Sequence, residues 1–254
     1  MCTLVLLRRP GHEWPVVLAA NRDEMIDRPA QPPARHWPDR PEVVAGRDEL
    51  AGGSWLGLND HGVVAGILNR IGTLGPAPGR RSRGELVLEA LDHADARAAA
   101  QALGDLDPRA YRSFNLIIAD NRDAFWLRHA DPGGRLPVEV RPIAAGLAMI
   151  AAGDLDETET PRLVRYRPRF AAAATPDPGS ADWAAWEALL ADDRPTSPDA
   201  PMSALRFVTE RGFATVSSAL IALPAAGRGD VPPVFRYRAW QPAPSPWRDV
   251  LAEG

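Results

Sequence analysis

Cys2-Thr3-Leu4-Val5-Leu6-Leu7 and Val16-Val17-Leu18-Ala19-Ala20-Asn21-Arg22-Asp23-Glu24 decide the fold class of this chain. Each opens as a short apolar run rich in Val and Leu, and the second closes on four polar residues. Such runs, bounded by Gly, Pro, Asn or Asp, read as strands, here Cys2–Leu7 and Val16–Asn21. The same reading gives strands at Ser54–Asn59, Val63–Leu68, Asn115–Ala119, Ala124–Arg128, Leu147–Ala151, Ala214–Leu223 and Val234–Trp240. Asn59-Asp60-His61-Gly62 and Asp120-Asn121-Arg122-Asp123 lie between apolar runs and read as hairpin turns.

Helices are fewer. Ser82-Arg83-Gly84-Glu85 has the spacing of a capping box and precedes an apolar and Ala-rich run to Leu103. Thr160-Pro161-Arg162-Leu163 opens a second helix towards Phe170, which Pro168 is expected to shorten or kink. Asp182–Leu190 is a third, with Trp183 and Trp186 at helix–sheet packing positions. Tyr111 and Phe114 read as core, and Trp55 as core or pocket wall. Strands and helices fall in separate blocks, which favours an α+β class with largely antiparallel sheets and helices on their faces. Arg28–Pro41, Gly72–Gly79, Thr175–Gly179 and Asp193–Pro201 read as Pro-rich connections within a single domain covering 1–254.

With 29 basic and 33 acidic side chains the formal charge is −4, which excludes the concentrated basic face of a nucleic-acid binder. The single cysteine excludes an internal disulfide framework and a thiolate metal cluster. No lysine occurs, so Schiff-base chemistry and a phosphate-loop lysine are excluded as well. Met1–Leu7 is followed by Arg8 and Arg9, the reverse of a secretory charge order, and no run reaches the roughly 18 apolar residues of a membrane span. The cytosol is the default location. The sequence carries no signal for an oligomeric state.

A lone cysteine is ordinarily a small buried hydrophobe. Cys2 differs because excision of Met1 before a small residue would make it N-terminal. It would then carry a thiol of pKa about 8.5 beside an α-amine of about 7.7–8, a nucleophile with its own base. Asn21 and Asp23 share one face of an extended strand, and Arg22 and Glu24 the other. A solvated strand end with local ion pairs is the plainer reading of these four residues. The functional one has Asp23 holding the Cys2 amine or thiol while Asn21 orders the backbone nearby. Asn69 closes another apolar strand, where a side-chain amide can donate to an oxyanion or serve as a turn residue. Arg80-Arg81-Ser82-Arg83 at a helix start makes either a phosphate or carboxylate site through Arg81 and Arg83, or a solvated basic cluster. His12, His36, His61, His93 and His129 are isolated and read as surface or turn residues rather than metal ligands.

Met1-Cys2-Thr3-Leu4, Asn21-Arg22-Asp23-Glu24, Gly52-Gly53-Ser54-Trp55-Leu56-Gly57 with Asn69, Ser113-Phe114-Asn115-Leu116, Ala152-Gly153-Asp154-Leu155-Asp156 and Thr215-Val216-Ser217-Ser218 together resemble the NRDE family, that of the transport and Golgi organisation protein 2. That family is similar to N-terminal-nucleophile (Ntn) hydrolases of the choloylglycine hydrolase and penicillin V acylase group. The resemblance implies a four-layer αββα sandwich. It also implies Cys2 as nucleophile, Asp23 contacting it, and Asn69 as oxyanion donor. Asn21 matches the first residue of that group's Asn-x-Asp, and Asn21, Arg22, Glu24, Asn115, Arg238, Arg81 and Arg83 are the candidate substrate-binding residues, the last two from the arginine cluster at the helix start. Three departures stand out. An arginine of those hydrolases falls on Ala20, a second asparagine falls near Ala152 or Gly153, and a late-strand arginine matches either Arg238 or Arg236. Two functions follow as expectations. One is an N-terminal-cysteine hydrolase of an amide or other acyl bond in a small molecule, needing no cofactor and no metal. The other is a non-catalytic carrier of haem or acyl-CoA and lipid on the same fold, with haem as cargo.

Overall fold

The structure, a computed structural model, describes residues 2–252. In chain order these form β1 (Thr3–Arg8), β2 (Val16–Met25), β3 (Ala30–Ala34), β4 (Val43–Asp48), β5 (Leu56–Asn59), β6 (Val64–Asn69), α1 (Glu85–Leu91) and α2 (Ala96–Gly104). There follow β7 (Phe114–Ala119), β8 (Ala124–His129), β9 (Glu139–Pro142), β10 (Gly146–Ile150), α3 (Pro161–Ala172), α4 (Ala184–Leu190), β11 (Phe213–Leu223), β12 (Val234–Ala239) and β13 (Arg248–Asp249). Among the described residues no helix is long and apolar enough to cross a membrane.

The chain divides into two units, the first gathering the N-terminal stretch to Arg28 with everything from Ala145 onward. Its sheet runs in the order β10-β1-β2-β11-β12-β13, every pair antiparallel. One face of this sheet presents Val5, Val17, Ala19, Met149, Leu220 and Ala222 to a helical layer. α3 contributes Leu163, Tyr166 and Phe170 to that layer and α4 contributes Trp186 and Leu190, with the Phe170 and Trp186 rings meeting edge-on at 5.2 Å. α3 continues through Pro168 to Ala172, because its buried stripe secures the helix where the proline removes one backbone donor.

The second unit, Pro29–Ala144, carries the antiparallel sheet β3-β4-β5-β6-β7-β8-β9. Leu86, Val87, Ala90 and Leu91 of α1 and Ala96, Ala99, Ala100 and Leu103 of α2 pack on Ala45, Ala65, Phe114, Leu116 and Ile118. Each unit therefore holds one helix layer and one sheet layer. Both hairpin turns form. Asp120 closes the second by accepting from the Arg122 and Asp123 backbone N–H groups at 2.7 Å each.

Several sequence expectations are corrected here. The helix expected from Ser82 to Leu103 is two helices, since Asn59 donates to the Leu91 and His93 carbonyls at 2.8 Å and ends the first. Asp95 then caps the second, accepting from Ala98 N–H at 2.7 Å. The capping box does not form. Gly84 is the N-cap of α1, Ser82 Oγ accepts from Gly84 N–H at 3.3 Å, and Glu85 turns back to Arg81 Nε at 2.6 Å. Residues 30–34 of the Pro-rich connection form β3, tolerated because an edge strand leaves one side of its backbone unladdered. β4, β9 and the two-residue β13 also lay outside the expected strands. His129 is not a surface or turn residue. It is buried in β8 beside Phe114, with ring centroids 5.4 Å apart, and burial pushes its pKa down.

Candidate functional site in the first unit

β2 runs four residues beyond its expected end at Asn21, because β11 pairs with it as far as Met25. The extension carries the Asn21–Glu24 tetrapeptide into the sheet. Asn21 and Asp23 are buried on the helix side, while Arg22 and Glu24 on the opposite face are half-buried. Between Thr215 and Ser217 the β2–β11 register shifts by one residue. The regular register set by the Ser218–Asn21 pair would bring Val216 opposite Asp23. The bulge brings Thr215 there instead, supplying a hydroxyl where an isopropyl group would have met a carboxylate.

Asp23 is the centre of the resulting network. Its Oδ2 accepts from Arg162 Nη1 at 2.8 Å and its Oδ1 lies 2.8 Å from Thr215 Oγ1. The side chains of both Arg162 and Asp23 are withdrawn from solvent, at 1% and 0% exposure. Arg162 also donates to Thr3 Oγ1 and to the Met202 carbonyl, both at 3.0 Å, and lies over the Phe207 ring at 5.1 Å. Thr215 is itself within 3.0 Å of the Leu205 carbonyl and accepts from Phe207 N–H at 3.3 Å. A buried carboxylate facing a guanidinium with further hydrogen bonds is the arrangement that makes such a charge tolerable inside a protein.

Cys2 meets Asp23 through the backbone. The Asp23 N–H donates to Sγ at 3.4 Å and Sγ lies 3.6 Å from the Asp23 carbonyl oxygen. Burial pushes the thiol pKa up from its ordinary value, and the Asp23 carboxylate adds to this. The Asp23 N–H bond and the Arg22 cation pull it the other way without reversing it.

Asn21 donates both amide hydrogens, to the Leu190 carbonyl at 3.0 Å and the Leu205 carbonyl at 2.9 Å. Its Oδ1 accepts from Ser218, whose Oγ in turn accepts from Trp240 Nε1 at 2.7 Å. The amide thus ties the end of α4 and the chain before β11 to the sheet. Arg238, expected beside the substrate, stacks over Trp240 at 4.1 Å. Arg236, the other match for the late-strand arginine, pairs with Glu187 of α4. Glu24 accepts from Met25 N–H at 2.9 Å and lies 3.8 Å from Arg28.

The remaining expected residues belong to the second unit. Asn69 is half-buried at the end of β6, opposite Phe114. Asn115 is fully buried, its Oδ1 accepting from Arg70 at 2.7 Å and Trp126 Nε1 at 3.1 Å. Arg81 serves Glu85 and Glu89, and Arg83 donates to Thr73 Oγ1 at 2.9 Å and the Ser113 carbonyl at 3.0 Å. Among the described residues no group of three or more His, Cys, Asp or Glu side chains is placed to hold a metal ion.

Sequence reasoning gave Arg162 no place beside Asp23, and quoted Thr215 only within a motif without pairing it to the carboxylate. A trace of Arg162 was present: Arg162, Tyr166 and Phe170 recur every four residues along one face of α3, an apolar stripe with a cation at its head.

Two antiparallel sheets, each backed by helices, with Cys2 just ahead of the first strand, give an α+β chain whose fold is similar to that of solved N-terminal-nucleophile hydrolases. Penicillin V acylase from Agrobacterium tumefaciens superposes with a TM-score of 0.57 at 13% identity, over 99% of this chain and 86% of that one. The Caenorhabditis elegans N-acylethanolamine-hydrolyzing acid amidase ortholog gives 0.57 at 11% identity, over 87% and 92% of the two chains. A mutant conjugated bile acid hydrolase from Clostridium perfringens gives 0.53 at 10% identity, over 100% and 94%. At these identities the likeness is one of fold.

The sequence places the chain more narrowly. It belongs to the Transport and Golgi organisation 2 family, whose profile matches residues 1–226. The Bos taurus Transport and Golgi organization protein 2 homolog is 36% identical over 145 residues, which is 52% of this chain and 50% of the bovine one. The Homo sapiens homolog is 34% identical over 110 residues, 41% and 38% of the two chains. The matched stretch thus spans half or less of the length of these curated relatives.

Proposed function

We propose that this protein is an N-terminal-cysteine hydrolase acting on an amide or other acyl bond of a small molecule. The observation that carries the reading is the Cys2 thiol held by the Asp23 N–H at 3.4 Å, with the Asp23 carboxylate fixed behind it by buried Arg162. Removal of Met1 converts the Cys2 amide nitrogen into an amine, the only amine base the lysine-free chain offers. The amine takes the thiol proton, and the thiolate adds to the substrate carbonyl. The tetrahedral intermediate collapses as the ammonium protonates the leaving group, giving a thioester on Cys2. Water, deprotonated by the same amine, cleaves the thioester, releases the acid and restores the thiol. Asp23 and Arg162 are positioning residues in this scheme: they fix the backbone that holds Sγ. The likeness of fold to solved acylases and amidases supports the reaction class.

Intact mass of the protein from cells tests the first step, and a panel of N-acyl p-nitroanilides with mass detection of acyl-Cys2 tests the second. Loss of Met1 and an acyl adduct absent from Cys2→Ala are expected. Retention of Met1 in turnover-competent protein, or undiminished turnover by Cys2→Ala, would overturn the proposal.

A second reading, a non-catalytic carrier of haem or acyl-CoA, draws on one observation: Arg162 and Thr215 already engage the Asp23 carboxylate. It gains support from the trafficking name of the family. It predicts saturable haem or acyl-CoA binding that survives Cys2→Ala. A Soret shift on titration identifies the haem form, and absence of binding for both ligands at micromolar concentration rejects it.

A further inference from the structure

Away from Cys2, the turn after α4 gathers an unusual charge arrangement. Asp192, with its side chain 3% exposed, accepts from Arg169 Nη1 at 2.6 Å and from Arg194 Nε at 3.0 Å. The Arg194 backbone N–H reaches the same carboxylate at 3.2 Å, and Arg165 Nη2 lies 3.8 Å from it. The neighbouring Asp193 is occupied by Arg206. Four guanidiniums therefore face two carboxylates, a local positive excess in a chain whose formal charge is −4. Like charges this close repel, and one carboxylate cannot neutralise three arginines.

Arg165, Arg169 and Arg206 are also held in place. Arg165 donates to the Arg194 carbonyl at 2.6 Å, and the guanidiniums of Arg165 and Arg169 lie 5.0 and 4.9 Å from the centre of the Tyr166 ring. Arg206 is seated over Trp240 at 4.9 Å. Side chains restrained in this way have surrendered rotamer freedom before any ligand arrives. Arg194 remains 77% exposed, and its two terminal nitrogens have no hydrogen-bond partner among the described residues. The carboxylate position of the cluster is filled by Asp192 itself. A complementary ligand therefore brings two further negative charges and several oxygens spaced for planar guanidinium forks, which is the chemistry of phosphate.

We infer that Arg165, Arg169 and Arg194 around Asp192 form a binding site for the phosphate or diphosphate group of a soluble small molecule. The site involves neither Cys2 nor Asp23 and stands whether or not the hydrolase reading holds.

The test is calorimetric titration of the full chain with inorganic pyrophosphate and phosphate at matched ionic strength, repeated with Arg194→Gln, Arg194→Lys and Cys2→Ala. Saturable pyrophosphate binding is expected, weakened about tenfold in Arg194→Gln, partly retained in Arg194→Lys and unchanged in Cys2→Ala. Thermal melts without ligand verify that each variant is folded, and Arg169→Gln gives an independent lesion from α3. No saturable binding of either anion at millimolar concentration, or equal binding by Arg194→Gln and Arg169→Gln, would overturn the assignment. Flotation with phosphatidylcholine vesicles, with and without phosphatidic acid, separates the sources of phosphate. Capture by phosphatidic acid without pyrophosphate binding would move the site to a lipid headgroup and reject the soluble ligand.

Discussion

Arg162→Met isolates the interaction on which the architecture around Cys2 depends. Methionine keeps an unbranched apolar stem of similar reach while removing the charge, the donors and the guanidinium over Phe207. In the wild type the Arg162–Asp23 contact is 2.8 Å between two side chains at 1% and 0% exposure. Removing one member of such a pair strands a buried charge and costs about 3–5 kcal/mol. For a chain of this size that corresponds to a fall in Tm of about 6–20 °C. Thr3 Oγ1 and the Met202 carbonyl lose their donor as well, which places the expected loss towards the upper end. Urea unfolding followed by tryptophan fluorescence measures it, with Asp23→Asn and the double variant completing a cycle. The double variant leaves no unpaired charge, so it is expected to be more stable than the sum of the single losses by at least about 1 kcal/mol. An Arg162→Met variant within about 1 kcal/mol of wild type, or strict additivity in the cycle, would refute the reasoning.

Other outcomes follow from the same contacts. In protein retaining Met1, Cys2 should be alkylated by iodoacetamide more slowly at neutral pH than an ordinary thiol of pKa about 8.5, because burial and Asp23 push its pKa up; a rate profile centred at or below that value would contradict this. Because the folded value is the higher one, the thiol's stabilising contribution is present below about pH 8.5 and is lost as pH rises through the folded value, in denaturant titrations of wild type against Cys2→Ala. Asp192 lies far below the usual carboxylate range through its arginine partners, so its contribution is present above about pH 4 and lost on further acidification. Asp192→Asn should accordingly be less stable at neutral pH and converge on wild type in acid. Gly53→Ala should destabilise by about 1–3 kcal/mol, since an added Cβ would lie 2.4 Å from the Gly84 backbone carbon, and a neutral result in urea unfolding would rule out that close approach.

Much of the strand content was legible because it is local. The runs of β1, β2, β7 and β11 are long and apolar, and the turns at 59–62 and 120–123 carry the Asn, Asp and Gly that turns require. β3 and β9 were illegible for the opposite reason: they are edge strands, one Pro-rich and one polar, defined by a neighbour rather than by their own composition. The break between α1 and α2 depends on Asn59, which lies 32 residues from Leu91 in sequence.

The sequence by itself determined the α+β class, the lone thiol at position 2, and the alternation that sets Asn21 and Asp23 apart from Arg22 and Glu24, because a strand's two-residue period needs no partner to be read. Only the tertiary structure decided what those residues touch. Asp23 meets Arg162, 139 residues away, and Thr215, 192 residues away, and the latter through a one-residue bulge that substitutes Thr215 for Val216. A buried carboxylate must find a cation and a hydroxyl wherever the fold can bring them, and pairing register and helix placement are set by contacts across the whole unit.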